Sequence, residues 1–105
     1  MNARQRLADR RASELFEFEH RGVLFHASFS WFPDGRIGEV FVTGSKSGTD
    51  LEASVNDGAI LASIGLQHGV DLAVLAGALG RDGSGEPATP IGRALNIIAS
   101  LGAEP

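Results

Sequence analysis

The chain has 105 residues, 43% hydrophobic and 21% charged, which are ordinary values for one globular domain. Its formal net charge of −4 argues against broad binding to nucleic acid, because that binding depends on Lys and Arg neutralising phosphates. It contains no cysteine, which excludes disulfides, thiolate metal sites and cysteine nucleophiles. No apolar run approaches the roughly 20 residues of a membrane helix, and the polar start lacks the apolar region of a signal peptide. We therefore expect a soluble, cytoplasmic protein.

The first twelve residues are polar and rich in arginine. We expect them to form a solvated, mobile arm or a short, weak helix, because chain ends are poorly ordered unless something holds them. The remainder, residues 13–105, is interpreted as one domain without internal repeats. The arginines of the arm are Arg4, Arg6, Arg10 and Arg11.

Residues 14–43 alternate apolar and polar side chains with a period of two, which predicts β-strands with one buried and one wet face. Arg21-Gly22 stands where a two-residue hairpin turn would place Phe18 opposite Phe25, and Phe16 opposite Ala27. Arg is a poor first residue for such a turn. The pattern nevertheless indicates that the first two strands form a hairpin.

A second turn is predicted at residues 32–36, because Pro presets φ, Asp caps the turn and Gly accepts the left-handed position. Folding back at this turn would bring Trp31 near Ile37 and Ala27 near Phe41, on one apolar face. Both turns place these apolar residues on the same face of the sheet. Together they predict a three-stranded antiparallel meander.

The helices follow the strands. Thr49, with Glu52 three positions later, fits a capping box, and the helix that it opens runs to about His68, where Gly69 is a natural terminator. A short helix capped by Asp71 extends through Leu79. Thr89 and Pro90 open a last helix after a glycine-rich loop. We predict an α+β domain in which two or three helices pack on one face of the meander.

A stripe of apolar residues at helical spacing marks the inner side of the first helix, and further apolar residues lie on its other sides. The stripe comprises Leu51, Val55, Ala59, Ala62 and Leu66. The residues beyond it are Ile60, Leu61 and Ile64. Gly58, Ala59, Ala62, Ser63 and Gly65 would let another backbone approach closely. We therefore expect a homo-oligomer, most simply a twofold dimer.

Two motifs resemble the C-terminal TSCPD-type domain of adenosylcobalamin-dependent ribonucleotide reductases. The first is Asp-Gly at 34–35 followed by Gly-Glu-Val-Phe-Val at 38–42, and the second is Ser-Ile-Gly-Leu-Gln-His-Gly-Val at 63–70. Residues 6–11 are similar to the family's entry segment, with Ala8 where proline is usual. Residues 89–95 carry only part of the string that names the group.

The resemblance covers about residues 6–80. It implies the same domain fold and a link to nucleotide metabolism. The family's reductase barrel, its radical-forming cysteine and its redox cysteine pair lie outside this domain and have no counterpart here.

The loop between the third strand and the first helix is a candidate anion site. It contains one lysine, three hydroxyl side chains and glycine, and a helix N-terminus presents free N–H groups that suit phosphate. A flexible connection with a good cap explains the same residues, and the P-loop order is missing. The candidate residues are Ser45, Lys46, Ser47, Gly48 and Thr49.

Glu39 shares strand parity with Ile37 and Phe41, which predicts that its carboxylate points to the apolar side. An unpaired buried charge is costly, so it needs a cation, a backbone donor or a proton. Pairing with an arginine or Lys46, a place at the sheet rim, and a ligand or acid/base role all remain open. Arg81 and Thr89, on either side of the glycine-rich loop, form a second and weaker candidate anion site.

The three histidines share no metal-ligand spacing, and no serine stands in a nucleophile elbow. His26 is expected to face Glu17 across two strands. We therefore expect no metal, no cofactor and no enzyme activity. The favoured hypothesis is a stand-alone, non-catalytic accessory or regulatory domain, with a ribonucleotide reductase as candidate partner. The alternative is a small protein that binds a nucleotide or another phosphorylated metabolite.

Overall fold

The computed structural model describes residues 3–44 and 48–102. A three-stranded antiparallel sheet in the order β1-β2-β3 precedes three helices, so the predicted α+β fold is confirmed. The strands are β1 (Ser13–His20), β2 (Val23–Trp31) and β3 (Ile37–Thr43). The helices are α1 (Asp50–Gln67), α2 (Leu72–Ala78) and α3 (Pro90–Gly102). None of the helices in these ranges is long and apolar enough to span a lipid bilayer.

The β1–β2 hairpin has the predicted register, with Phe18 opposite Phe25. Arg21 and Gly22 both adopt positive φ, 51° and 82°, as the twist of a two-residue hairpin requires. Positive φ is unfavourable for arginine because its Cβ approaches the backbone. The paired Phe rings stack at 5.5 Å between centroids, and this contact helps to hold the hairpin in place.

The β2–β3 pairing contains a bulge that the sequence pattern did not indicate. Trp31 pairs with Ile37 as expected, but Ser30 pairs with Glu39, so Gly38 is the extra residue. The expectation that Ala27 faces Phe41 is wrong, because the bulge shifts the later residues by one position. A Cβ on Gly38 would lie 2.6 Å from the Phe32 ring, which explains why glycine occupies the bulge.

The three helices cover one face of the sheet and form a single hydrophobic core with it. The sheet contributes Phe18, Phe25, Ala27, Phe29, Val40 and Val42. The helices contribute Val55, Ala59, Ala62, Leu66, Ala76, Ala94, Leu95 and Ile98. The predicted inner stripe of α1 is thus buried except for Leu51, which lies at the start of the helix and is 40% exposed.

Helix α1 also closes the free edge of β3. The Ser63 hydroxyl accepts the N–H of Val40 at 2.9 Å and donates to its carbonyl at 3.1 Å. The Gln67 amide donates to the carbonyl of Gly38 at 2.9 Å. Because an unpaired edge would expose backbone donors and acceptors, these two side chains take the part of a neighbouring strand.

The small residues of α1 serve packing within the chain. A Cβ on Gly58 would lie 3.2 Å from the Ile91 side chain, and Ser63 contacts β3. Their predicted use as an approach for another backbone is therefore wrong for these two positions, because α3 and β3 already occupy the space. Ile60 and Leu61 remain 46% and 70% exposed on the other side of the helix.

Helix α1 ends in the expected left-handed glycine. Gly69 has φ 94°, and its N–H donates to the carbonyl of Leu66 at 3.1 Å. The N–H of Val70 donates to the carbonyl of Gly65 at 3.0 Å, which completes a Schellman motif. Helix α2 begins after Asp71 as expected, although the Asp71 side chain makes no capping hydrogen bond.

Candidate functional site

The N-terminus of α1 has the predicted capping box. Thr49 Oγ1 accepts the N–H of Glu52 at 3.1 Å, and Glu52 Oε1 accepts the N–H of Gly48 at 3.0 Å. Two backbone donors that an anion would use are therefore already bonded within the chain. Ser45, Lys46 and Ser47 lie outside the described residues, so the anion site in this loop stays a prediction.

Glu39 lies on the outer face of the sheet, opposite Ser30, and not on the apolar inner side. The predicted direction is wrong because the bulge at Gly38 reverses the alternation along β3. The carboxylate is paired with Arg11, whose Nη2 and Nε donate to the same Oε1 at 2.7 and 3.0 Å. Its side chain is only 15% exposed, so the arginine supplies the cation that this half-buried charge needs.

The arm is solvent-exposed along most of its described length, yet hydrogen bonds fix it to the domain. The N–H of Gln5 donates to the carbonyl of Gln67 at 2.7 Å, and Arg4 Nε donates to Gln67 Oε1 at 2.6 Å. Arg36 Nη2 donates to the side chain of Gln5 at 2.6 Å. Leu7 would contact a Cβ on Gly38 at 3.1 Å, so the arm lies directly over the bulge.

Between the arm, β3 and the end of α1 is an open cleft of about 590 Å³, which we call the arm cleft. Its charged lining consists of three arginines and two carboxylates, and Leu7 and Gln67 complete the lining. The charged residues are Arg4, Arg6, Arg11, Asp9 and Glu39. Sequence reasoning noted these arginines as a solvated arm and missed the cleft. The number of arginines in the arm was the sequence signal for a binding site. Only the folded chain shows that three of them line one cleft.

Most hydrogen bonds of the loop before α3, residues 79–89, join residues within the loop. Arg81 Nη1 donates to the carbonyl of Gly85 at 3.1 Å, and Thr89 Oγ1 accepts the N–H of Gly92 at 3.0 Å as the helix cap. Asp82 accepts from the N–H and hydroxyl of Ser84, and these bonds hold the pKa of its carboxyl below the usual value. The candidate anion site at Arg81 and Thr89 remains a prediction, although both side chains already have partners.

Within residues 3–44 and 48–102, no three His, Asp or Glu side chains are grouped to hold a metal ion. His26 Nδ1 lies 3.7 Å from the Glu17 carboxylate, as the cross-strand pairing predicted. His20 is buried, and neither of its ring nitrogens has a hydrogen-bond partner among the described residues. The histidines are therefore separate features of the fold.

The fold and the site together define a small α+β domain. Residues of its two motifs, at 34–42 and 63–70, hold the N-terminal arm, β3 and α1 together. The chain belongs to the TSCPD domain family, whose model matches residues 4–101. Gly38, Ser63, Gln67 and Gly69 of the two motifs have structural roles at the bulge, the β3 edge and the helix end.

The chain is also similar to part of several curated proteins named vitamin B12-dependent ribonucleotide reductase. It is 35% identical over 72 residues to the protein of Bradyrhizobium diazoefficiens, which covers 69% of this chain and 6% of that protein. The identity to the Rhodopirellula baltica protein is 35% over 72 residues, which covers 69% of this chain and 7% of that protein. The identity to the Agrobacterium fabrum protein is 38% over 69 residues, which covers 66% of this chain and 5% of that protein. The chain thus spans a small fraction of these relatives, and no solved structure matches it.

Proposed function

We propose that this domain is a non-catalytic accessory module of ribonucleotide reduction, which binds a reductase and does not itself turn over a ribonucleotide. One observation carries the proposal: the similarity covers 69% of this chain but only 6% of a vitamin B12-dependent ribonucleotide reductase. The 105 residues also contain no cysteine for thiol chemistry. A domain without catalytic groups of its own would contribute to ribonucleotide reduction by binding to another protein.

The outer face of the sheet supports such a contact. Leu15, Ser28 and Phe41 form one row across the three strands, and Leu15 and Phe41 are 83% and 50% exposed. Exposed apolar side chains that lie together commonly mark interaction surfaces. Ser63, Gln67 and Gly69 of the second motif, in contrast, are engaged inside the chain. Phe41 of the first motif is half exposed, so we assign partner binding to this outer row.

The test measures binding of the purified chain to the vitamin B12-dependent ribonucleotide reductase of Agrobacterium fabrum, intact and with its matching segment deleted. We expect binding to the deleted form, and we expect Phe41→Asp to weaken it at least tenfold. Val74→Asp, an exposed apolar change on α2, is the matched control and should keep the affinity. Absence of binding to both forms, or ribonucleotide turnover by the chain alone, would contradict the proposal.

The alternative function, binding of a nucleotide or phosphorylated metabolite by the loop before α1, depends on Lys46. Calorimetric titration with nucleotides and phosphate at low salt tests it, and Lys46→Ala should weaken binding about tenfold or more if this loop is the site. Equal affinity of the two proteins would leave the loop as a connection between β3 and α1.

Self-association is a separate proposal. Ile60 and Leu61 place apolar side chains at the surface of α1, and a twofold pair of these helices would bury them. Light scattering at micromolar concentration should give the mass of a dimer, and Leu61→Asp should reduce it to that of one chain. A monomeric mass for the unchanged protein would count against a dimer.

A further inference from the structure

The chain is acidic overall, but its arm is basic. Residues 1–12 contain four arginines and one aspartate and so carry a net charge of +3, whereas the remainder contains five cationic residues and twelve carboxylates. The arm folds back so that three of its arginines line one cleft. We propose that the arm cleft binds an oxyanion, a phosphate or carboxylate group of a small ligand.

Arg4 is held in place for this task by a buried amide. Gln67 is 6% exposed, and its Nε2 donates to the carbonyl of Gly38, which fixes the direction of its Oε1. That oxygen accepts from Arg4 Nε at 2.6 Å. A guanidinium has five N–H donors, and this bond uses one of them. The Nη groups of Arg4 make no hydrogen bond to any described residue and remain available to a ligand.

The other two arginines of the cleft differ from each other. Arg11 is neutralised by Glu39 through two hydrogen bonds. Arg6 makes no hydrogen bond or ion pair within the described part of the chain, although it lines the cleft. Asp9 offsets one of the two uncommitted cations, so the lining has a net charge of +1. An anion is the ligand that this balance favours.

The dimensions and the donor type agree with this ligand class. A volume of about 590 Å³ lies within the range of roughly 300–1,000 Å³ that is common for small-molecule sites. The planar fork of arginine matches phosphate and carboxylate with two parallel hydrogen bonds. Leu7 adds an apolar part to the lining. The site thus fits a ligand with an oxyanion group and a less polar remainder.

The test is calorimetric titration of the chain at low salt with inorganic phosphate, ATP and citrate, with adenosine as the uncharged control. We expect the anions to bind and adenosine to fail. Binding of phosphate and ATP without citrate would assign phosphate chemistry, and the reverse would assign carboxylate chemistry. Arg6→Gln should weaken binding about tenfold or more, since a charge-assisted hydrogen bond is lost.

Arg10→Gln is the matched control, because Arg10 is on the same arm but does not line this cleft and instead lines the neighbouring hollows beside Ser13 and beside Trp31. It should keep the affinity within about twofold, as should Lys46→Ala, which reports on the loop before α1. Equal weakening by Arg6→Gln and Arg10→Gln, or no heat with any anion, would overturn the proposal. An unchanged thermal midpoint for Arg6→Gln shows that its effect is on binding. The titration uses no reductase, so its result is independent of the proposed function.

Discussion

The two faces of the sheet have the same strands but opposite surroundings. On the inner face Phe25 and Val40 are each 1% exposed, whereas on the outer face Leu15 and Phe41 are 83% and 50% exposed. Both faces contain large apolar side chains, so hydrophobicity alone does not decide which of them is buried. The three helices decide it, because they cover only the inner face. The comparison separates residues that stabilise the fold from residues that are available to a partner.

The largest expected difference between the faces comes from removing one aromatic side chain from each. Phe25→Ala should lower the free energy of unfolding by about 3–5 kcal/mol, because it leaves a cavity in the core. Phe41→Ala should cost less than about 1 kcal/mol, because its ring is half exposed. Urea unfolding of the two variants measures both values. Similar losses would show that the outer face is covered in the folded protein.

The next effect concerns the bulge that sets the two faces. Gly38→Ala should lower the free energy of unfolding by about 2–3 kcal/mol, since the new Cβ would lie 2.6 Å from Phe32, which is 1% exposed and cannot move aside. Gly77→Ala is the control, because nothing lies within 4 Å of that position in α2. It should be neutral or stabilising. A neutral Gly38→Ala would mean that the bulge does not depend on glycine.

A smaller loss is expected from the helix that seals the sheet. Ser63→Ala should cost about 1–2 kcal/mol, because the N–H and carbonyl of Val40 lose their buried partner. Ser100→Ala is the matched control: its hydroxyl donates to the carbonyl of Asn96 within α3 and is exposed. That change should stay within about 0.5 kcal/mol. Thermal unfolding measures the loss of stability in both variants. Equal shifts of their unfolding midpoints would argue against a role of Ser63 in closing the β3 edge.

The smallest effect belongs to the ion pair on the outer face. Glu39→Gln should lower the free energy of unfolding by less than about 1 kcal/mol, because the Arg11 side chain is 30% exposed and retains contact with water. Double substitution with Arg11→Gln gives the coupling energy of the pair. A coupling energy well above 1 kcal/mol would show that the pair is better shielded than its exposure indicates.

How far the sequence could predict the fold depended on the separation of the interacting residues. The Arg21-Gly22 turn and the pairing of Phe18 with Phe25 were predictable, because neighbouring residues determine both. The face of the sheet on which Glu39 lies was not predictable. It depends on the bulge at Gly38, which packs against Phe32 and against Leu7 of the arm. The arm cleft was missed for the same reason, since Arg4 and Gln67 are 63 positions apart along the chain.

The functional prediction from the sequence was limited by the roles of the recognisable residues. Ser63, Gln67 and Gly69 belong to the motif that indicated the family, and the structure gives each of them a part in the fold. A motif that maintains a fold identifies relatives, but it does not identify a ligand. Arg6 and Arg11 of the arm cleft lie in the segment that is similar to the family's entry segment, but that segment indicates no ligand, so only the spatial arrangement of the arginines made them a candidate site.

The closure of β3 by α1 limits how these sheets can join. Backbone hydrogen bonds among the described residues reach strand β1 only from β2, so β1 is the one open edge there. Two chains that paired their β1 edges about a twofold axis would form a six-stranded sheet with a β3 strand at each end. Both ends would then be sealed by Ser63 and Gln67. Edge-to-edge growth would then stop at two chains, which would limit fibre formation through these strands.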